Sequence, residues 1–493
     1  MTRTAVINVV GLSESLLGEH TPRINAFRAR GALARIEPAF PAVTCTAQST
    51  YLTGTPPSQH GIVANGWYNR ELAEVQFWKQ SNHLVHGKKL WEILREKNPG
   101  FTCAKVFWWY NMYSTADWSI TPRPMYPADG RKVFDIYTWP FSIREEIKRE
   151  LGEFPFPAFW GPAAGVDSQR FAADAVSKWI AESAKWIERK HAPTLSLIYL
   201  PHLDYNLQRY GPPTVNPIVE PGNAPSPRPS PPMGARETAH HDQIIASDLR
   251  RIDAIVGDLI EFFAKQSVQA VLLSEYGISA GDMPVHLNRL FRQRGWLTVK
   301  DELGLELLDC GASKVFAVAD HQVAHVYLND QTLTSEVRRL LEGQAGIGAV
   351  WGDDEKAAHG LNHPRAGDLI VIAKEHAWFT YYYWLEDQRA PDFARTVDIH
   401  RKPGYDPVEL FLDPKIPLVK AKIVWRLLQK KLGFRMLMDV IPLDASLVKG
   451  SHGAKPVEVT EWPVFISGRT DLVSARPVAS TDVFELLKGH LAD

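Results

Sequence analysis

The sequence predicts an α/β layer fold with a mainly parallel sheet, because short apolar runs alternate with amphipathic segments through residues 1–300. A helix-like stretch at 171–190 precedes the apolar run 195–200. A second helix-like stretch, 248–265, precedes the apolar run 268–274. Repeated pairs of this kind are typical of strands that return to one sheet through crossover helices.

The predicted strands place three positions at one edge of this sheet. The chain opens with the strand-like run 5–12, and Val10 lies near its end. Asp204 comes just after the run 195–200, and Glu275 just after the run 268–274. Ligands of such sheets bind at the carboxyl ends of the strands. We therefore expect the three positions to face one crevice.

The chain is long enough for more than one domain, with 493 residues of which 45% are hydrophobic. Residues 301–440 differ in composition and hold their own strand candidates, so we predict an inserted cap. The core would then comprise residues 1–300 and 441–493. The proline-rich segment 212–236 follows the Asp204 turn and is expected to be a loop at the mouth of the crevice, either a lid or a surface loop without function.

Charge and composition argue against several functions. The net charge of −1 gives no electrostatic case for a nucleic acid or an anionic membrane as partner. Three cysteines are too few for a disulfide framework. No signal peptide and no apolar run of about 18 residues are present. We expect a cytoplasmic protein that acts on a small molecule, and its oligomeric state is left open.

The segment 41–65 combines a hydroxyl with an amide donor. Thr44 follows a proline-bounded turn at a position where a helix can begin, and Asn65 lies about twenty residues further on. The free N–H groups of a helix N-terminus favour an anion. Thr44 taken alone would be better explained as an N-cap, but the flanking Gly54, Pro57, His60 and Asn65 favour a nucleophile loop with an oxyanion-binding asparagine.

The pattern of segment 41–65 resembles the nucleotide pyrophosphatase/phosphodiesterase branch of the alkaline phosphatase superfamily. That family has P-x-x-T, then T-G-x-x-P-x-x-H-G-I, then asparagine, and each part is present here. Further markers follow in the same order along the chain, namely 204–208, 249–260, 274–277 and 450–453. The resemblance implies an alkaline-phosphatase-like core, a mainly parallel sheet sandwiched by helices, with an inserted cap.

The resemblance also implies two metal ions. For the first, the family uses an aspartate, a histidine four residues later and a late histidine, which correspond to Asp204, Gln208 and His452. Glutamine binds through oxygen and is a weaker ligand than imidazole, so the set suits a harder ion better than zinc. Zinc remains an alternative to manganese or magnesium.

The second implied metal site is eroded in this sequence. Its positions are Val10, Thr44, Glu275 and Tyr276, and valine cannot ligate a metal. Glu275 can be a ligand or a general base, and the phenol of Tyr276 can donate to a developing oxyanion. We therefore expect one divalent metal ion per chain.

Other side chains are candidate substitutes. His321 and His400 in the cap could be replacement ligands, although a single histidine is more often structural. Arg401 could hold a phosphate, or simply be solvated. Trp108 and Tyr110 could line a substrate pocket for a planar group, or belong to the core.

The sequence as a whole favours a metal-dependent hydrolase or transferase of a phosphodiester, pyrophosphate or related phosphoester. Thr44 would be the nucleophile, and Asn65 would steady a phosphoryl oxygen. The alternative is a catalytically degenerate member of the family that binds a small phosphorylated ligand or a protein partner. The altered positions Val10, Gln208, Glu275 and Tyr276 keep that alternative open.

Overall fold

A nine-stranded sheet forms the centre of the protein. The computed structural model describes residues 1–129, 131–213, 233–474 and 476–492. The strands within these ranges are β1 Thr4–Val9, β2 Ala32–Glu37, β3 Gly66–Asn69, β4 Glu74–Phe77, β5 Cys103–Val106, β6 Trp118–Pro122, β7 Ile136–Trp139, β8 Leu195–Leu200, β9 Gln269–Leu273, β10 Ser279–Val285, β11 Thr298–Glu302, β12 Leu305–Asp309, β13 Val315–Asp320, β14 Val323–Leu328, β15 Ile347–Trp351, β16 Leu369–Ala373, β17 His376–Phe379, β18 Gly450–Ser451, β19 Val464–Ser467 and β20 Val478–Ala479.

Helices cover both faces of this sheet, and others pack in the cap. They are α1 Pro22–Ala29, α2 Thr44–Thr53, α3 Pro57–His60, α4 Leu90–Lys97, α5 Ile143–Leu151, α6 Ala175–His191, α7 His202–Tyr210, α8 Met233–Lys265, α9 Leu287–Gln293, α10 Thr334–Glu342, α11 Asp353–Ala358, α12 Val419–Lys431 and α13 Val483–Leu491. One face packs against α1, α6 and α8, and the other against α2, α4 and α13.

The central sheet is mainly parallel, as the sequence predicts. Its order is β20-β2-β19-β9-β1-β8-β5-β6-β7, and β9, β1, β8, β5 and β6 run parallel to one another. Strands β1 and β8 are buried throughout, which explains why they read as continuous apolar runs. In β1, Ile7 packs with the helices of one face and Val6 with those of the other. The predicted α/β fold class is confirmed.

The cap is a separate sheet that is tied to the core by one strand. Strands β13, β14, β16 and β15 form a four-stranded antiparallel sheet. The core strand β10 pairs with β17 on one side and with β18 on the other. This pairing brings the β13–β14 turn of the cap and the residues after β18 to the carboxyl edge of the central sheet. The residue limits given above for core and cap remain a prediction.

Residues 214–232 of the predicted proline-rich loop lie outside the described residues, so its role stays a prediction. Across the described ranges, no helix has both the length and the apolar character needed to cross a bilayer. The cytoplasmic location likewise stays a prediction.

Candidate active site

Thr44 is the first helical residue of α2, and the extended residue before it, Val43, takes the N-cap position. The helix is buried along its whole length although it is rich in Thr and Ser. Ser49 and Thr50 donate their hydroxyl protons to carbonyl oxygens one turn earlier, over 2.7 and 2.9 Å, which removes the cost of burying them. The hydroxyl of Thr44 instead lies 3.3 Å from that of Tyr276. Thr44 therefore presents its hydroxyl to the carboxyl edge of the sheet.

Asn65 is held between α2 and the cap. Its Oδ1 accepts the backbone N–H of Cys45 over 3.0 Å. Its Nδ2 donates to Oδ1 of Asp320 over 3.1 Å, and its backbone N–H donates to Oδ2 of the same carboxyl over 2.8 Å. Burial raises the pKa of Asp320 to about 7, although these hydrogen bonds lower it. Asp320 ends β13, and we had not expected this orienting role from the sequence.

Glu275 is buried directly after β9, beside Thr44. Its Oε1 accepts hydrogen bonds from Nδ2 of Asn8 and Nε2 of Gln48. Its Oε2 is buried and has no hydrogen-bond partner among the described residues. Burial raises the pKa of Glu275 to about 8, while hydrogen bonds from Gln48 and Asn8 lower it. This carboxyl can therefore take up or release a proton near neutral pH.

Tyr276 links Thr44 to Asp204. Its phenol donates to Oδ1 of Asp204 over 3.3 Å, and its ring stacks on His452 with the ring centres 3.6 Å apart. Burial and the neighbouring Asp204 carboxylate raise the pKa of the phenol well above its usual value, so it is a neutral donor. Asp204 lies in the first turn of α7, where burial raises its pKa to about 7.

Three aromatic rings complete the stack above Tyr276. His321 lies between His452 and Tyr405, with ring centres 3.6 and 3.7 Å away. His452 donates from Nδ1 to the carbonyl of Ala42 over 2.7 Å, and burial lowers its pKa to about 3. Burial also lowers the pKa of His321, whose backbone has a φ of 60° in the β13–β14 turn. Such a conformation is costly for a residue other than glycine and is held by the surrounding contacts.

The expected first metal set does not fit a divalent ion. The family resemblance implies a metal ion bound by Asp204, Gln208 and His452. The side-chain oxygen of Gln208 accepts the phenol of Tyr405 over 3.0 Å, and Asp204 accepts that of Tyr276. Each of these two oxygens thus accepts a hydrogen bond from a phenol, whereas an oxygen that binds a metal ion directs its lone pairs at the cation.

The expected second metal set fits no better. Val10 is buried in the core, and Glu275 accepts two amide N–H donors. Within the described ranges, no group of three or more His, Cys, Asp or Glu side chains is placed to hold a metal ion. The donor chemistry at both places is that of a hydrogen-bonded network.

A small cavity of about 60 Å³ opens above Thr44. Besides Thr44, its lining comprises Asn65, Trp78, Trp109, Phe159, Trp160, Tyr199, Pro201, Asp204, Tyr205, Tyr276, His321, Ile399 and Tyr405. Gln208 and His452 lie behind this lining, in contact with Tyr405 and Tyr276. The structure therefore brings together Thr44, Asn65 and the residues after β8 and β9.

Four expected side chains lie elsewhere. Trp108 and Tyr110 are buried beneath α2, beside Gln48, and it is Trp109 that reaches the cavity. The backbone has positive φ at Phe107 and Tyr110, so the alternation of a strand does not continue past β5 and cannot be used to choose among these aromatic residues.

His400 is exposed, whereas its neighbour Ile399 lines the cavity. Arg401 is half exposed and pairs with Asp392 over 3.3 Å. Neither His400 nor Arg401 belongs to the cavity lining. Of the two cap histidines predicted as ligands, the structure places only His321 at the site.

A family model supplies the decisive comparison, because the model for type I phosphodiesterase / nucleotide pyrophosphatase matches residues 4–406. The chain belongs to this family. None of the curated proteins matches the sequence. Membership identifies the protein as a hydrolase of the phosphodiesterase and nucleotide pyrophosphatase class, within the alkaline phosphatase superfamily.

Solved structures show the same fold at low sequence identity. Murine ectonucleotide pyrophosphatase/phosphodiesterase 5, in an inactive form with AMP, has a TM-score of 0.55 and 13% identity over 100% of this chain and 95% of its own. Phosphonoacetate hydrolase from Sinorhizobium meliloti, with phosphonoformate, has a TM-score of 0.56 and 14% identity over 100% of this chain and 96% of its own. Human ectonucleotide pyrophosphatase/phosphodiesterase 5 has a TM-score of 0.54 and 13% identity over 99% of this chain and 94% of its own.

Proposed function

We propose that the protein hydrolyses a small phosphodiester, pyrophosphate or related phosphoester through Thr44, with Glu275 as the general base. One observation carries this proposal. The Thr44 hydroxyl, at the start of α2, lies beside a buried carboxyl whose second oxygen has no hydrogen-bond partner among the described residues. A threonine hydroxyl is a poor nucleophile until a neighbouring base takes its proton.

In the proposed first step, the Thr44 oxygen attacks phosphorus and its proton passes to Oε2 of Glu275. The new P–O bond forms as the bond from phosphorus to the leaving oxygen breaks. The neutral phenol of Tyr276 can supply the proton that the leaving oxygen takes up. Water then attacks phosphorus as the bond from phosphorus to the Thr44 oxygen breaks. The water gives one proton to the Tyr276 phenolate, and Glu275 returns its proton to the Thr44 oxygen.

The charge on the phosphoryl oxygens is proposed to be met by fixed dipoles. Thr44, the first residue of α2, lines the cavity, and this end of a helix favours an anion. Asn65 lines the same cavity, and its amide is held in place by Cys45 and Asp320. Donors that are fixed in advance stabilise a developing charge most strongly.

The cavity size limits the group that is transferred. Its volume of about 60 Å³ is well below the several hundred Å³ of a site that encloses a whole small-molecule ligand, so only the phosphoryl end of such a ligand would lie inside it. The aromatic walls at Trp109, Trp160 and Tyr405 suit a planar leaving group next to the phosphorus. The murine relative is in complex with AMP, which carries a planar base; that complex is a property of the murine protein.

The sequence predicts a single divalent ion, zinc or manganese/magnesium, at Asp204, Gln208 and His452. The proposed reaction gives this ion no role, and the ion is considered only in the test of the proposal. The donors at these residues do not fit an ion, as described above, and no step is assigned to one. Turnover that needs no added metal and survives a chelator supports the network of Glu275 and Tyr276 as the catalytic machinery.

The second candidate is the catalytically degenerate binder. The observation in its favour is that Val10 stands at a ligand position and cannot bind a metal, while Glu275, at another, accepts hydrogen bonds from Asn8 and Gln48. Such a protein would bind a phosphorylated small molecule in the cavity and release it unchanged.

Turnover of an activated aryl phosphodiester by Thr44→Ala and Thr44→Ser separates the two functions. The proposal expects a loss on the order of 10³-fold or more for alanine and a smaller loss for serine, which keeps the hydroxyl. A Thr44→Ala protein within a few-fold of wild type would refute the nucleophile. A wild type without turnover, with or without zinc, manganese or magnesium, but with measurable calorimetric binding of AMP would favour the binder.

A further inference from the structure

The segment 414–438 is strongly basic in a chain that is otherwise nearly neutral. It contains seven basic residues and no acidic one, whereas the whole chain has a net charge of −1. Its cations are Lys415, Lys420, Lys422, Arg426, Lys430, Lys431 and Arg435. Helix α12 occupies its centre. A net charge near zero thus hides a local positive surface, which the overall composition cannot reveal.

One side of α12 is fastened to the cap. Val419 and Ile423 pack against the apolar core of the cap, together with Met438 from the chain that follows. Lys422 and Arg426 both donate to the carboxylate of Asp439, over 2.8 and 3.1 Å. These contacts therefore hold the helix in a defined orientation, with its opposite side facing away from the cap.

The outward side of α12 is apolar. At 100° per residue, Ala421, Val424, Trp425, Leu428 and Leu432 lie within about 100° of one face. Val424, Trp425, Leu428 and Leu432 are 66%, 56%, 44% and 64% exposed. A helix of a globular protein normally turns such a stripe towards the core. Here the stripe points away from the attached side.

The apolar surface continues beyond both ends of the helix. Leu418 before it is 83% exposed, and Phe434 and Leu437 after it are 65% and 42% exposed. Lys420, Lys431 and Arg435 flank these side chains and have no ion-pair partner among the described residues. We use the name basic apolar face for this set: the exposed apolar residues of 418–437 with the three flanking cations.

We propose that the basic apolar face docks on the surface of an anionic lipid bilayer. Charge complementarity selects this occupant, because unpaired cations border apolar side chains that include a Trp and a Phe, the arrangement of helices that lie in a membrane interface. Two copies of the chain would bring like charges together at this face. The attachment is peripheral, since α12 has 13 residues and does not span a bilayer. The inference does not depend on the proposed reaction.

Vesicle sedimentation tests this docking with the whole protein. The probes are vesicles of equal parts phosphatidylglycerol and phosphatidylcholine, and vesicles of phosphatidylcholine alone. Tryptophan fluorescence would be a poor readout, because the chain has 16 Trp. We expect sedimentation with the anionic vesicles at about 0.1 M salt, and a weaker association at about 0.5 M.

Two variants separate the contributions of charge and apolar contact. Lys420→Gln with Lys431→Gln should lower the partition coefficient about 25-fold, since each cation near an anionic surface contributes about a factor of five. The same two positions changed to Arg are the matched control and should keep binding. Trp425→Glu with Leu428→Glu should abolish it, with an unchanged melting temperature because both side chains are exposed.

Several outcomes would overturn the proposal. They are no sedimentation of wild type with anionic vesicles, equal association with phosphatidylcholine alone, and equal loss in the Gln and Arg variants. Light scattering measures the oligomeric state as the last part of the test. A wild-type dimer that Trp425→Glu converts to a monomer, without vesicle binding, would show that a second copy covers this face.

Discussion

Replacing Glu275 by Gln should stabilise the protein and stop its reaction, because the carboxyl is buried at a cost that only its function explains. Burial raises the pKa of Glu275 from 4.5 in the unfolded chain to about 8 in the folded protein. Between these values the folded protein binds more protons than the unfolded chain, so this group lowers the stability as the pH rises.

The magnitude follows from the two pKa values. The ionisation lowers the free energy of unfolding by about 1 kcal/mol at pH 5 and by about 3 kcal/mol at pH 7. Glutamine has nearly the same shape and can still accept from Asn8 and Gln48 through its oxygen. Glu275→Gln should therefore be the more stable protein at pH 7, by up to about 3 kcal/mol, with a smaller gain at pH 5.

Thermal unfolding at the two pH values measures this effect. For a chain of 493 residues, an unfolding entropy of about 1 kcal/mol/K makes the expected rise in melting temperature at pH 7 about 3 °C, if the chain unfolds as one unit. Glu74→Gln on β4, where the glutamate is exposed, is the matched control for the substitution itself. Diester turnover is measured on the same samples and should be lost only in Glu275→Gln.

Two results would refute the reasoning separately. A Glu275→Gln protein whose stability relative to wild type is the same at pH 5 and pH 7 would show that the buried carboxyl does not titrate in this range. A stabilised variant that keeps its turnover would leave the burial argument intact and remove Glu275 as the base.

Three further predictions concern the same network and the cap. If Glu275 is the base, kcat/KM for the diester should rise with pH and level off above about 8, and a profile that is flat from pH 6 to 9 would contradict this. Tyr276→Phe keeps the ring on His452 but removes the bridge from Thr44 to Asp204, so turnover should fall about 10- to 100-fold with a change in stability of about 1 kcal/mol, measured by kinetics and calorimetry. Lys402→Met should lower the free energy of unfolding by about 3–5 kcal/mol, because it leaves the buried carboxylates of Asp406 and Glu409, which Lys402 pairs with over 2.7 Å, without a counter-charge. Arg401→Met, at the half-exposed neighbouring residue, is the control and should change the free energy of unfolding by less than about 0.5 kcal/mol.

The sequence predicted the central sheet well because each parallel strand is buried on both faces. That environment demands an uninterrupted apolar run, as in β1 and β8, and such a run can be read without knowing its neighbours. The same reading placed Asp204 and Glu275 just past strand ends, where a parallel sheet gathers its polar side chains. Thr44 and Asn65 were found from their local pattern.

The contacts between distant segments could not be read in this way. Asp320 and Tyr405 reach the site because β10 ties the cap to the core, and no local periodicity encodes that pairing. Trp108 and Tyr110 were predicted from an aromatic run, whose composition does not say which ring faces the cavity. The backbone has positive φ at Phe107 and Tyr110, and it is Trp109 that lines the cavity.

The sequence by itself determined the α/β fold, the family pattern and the identity of the groups at the strand ends. Only the tertiary structure decided what those groups do. The carboxyl of Glu275 accepts hydrogen bonds from Asn8 and Gln48, and burial raises its pKa to about 8. The physical reason is that apolar periodicity is a property of one segment, whereas desolvation and hydrogen bonding depend on which segments meet.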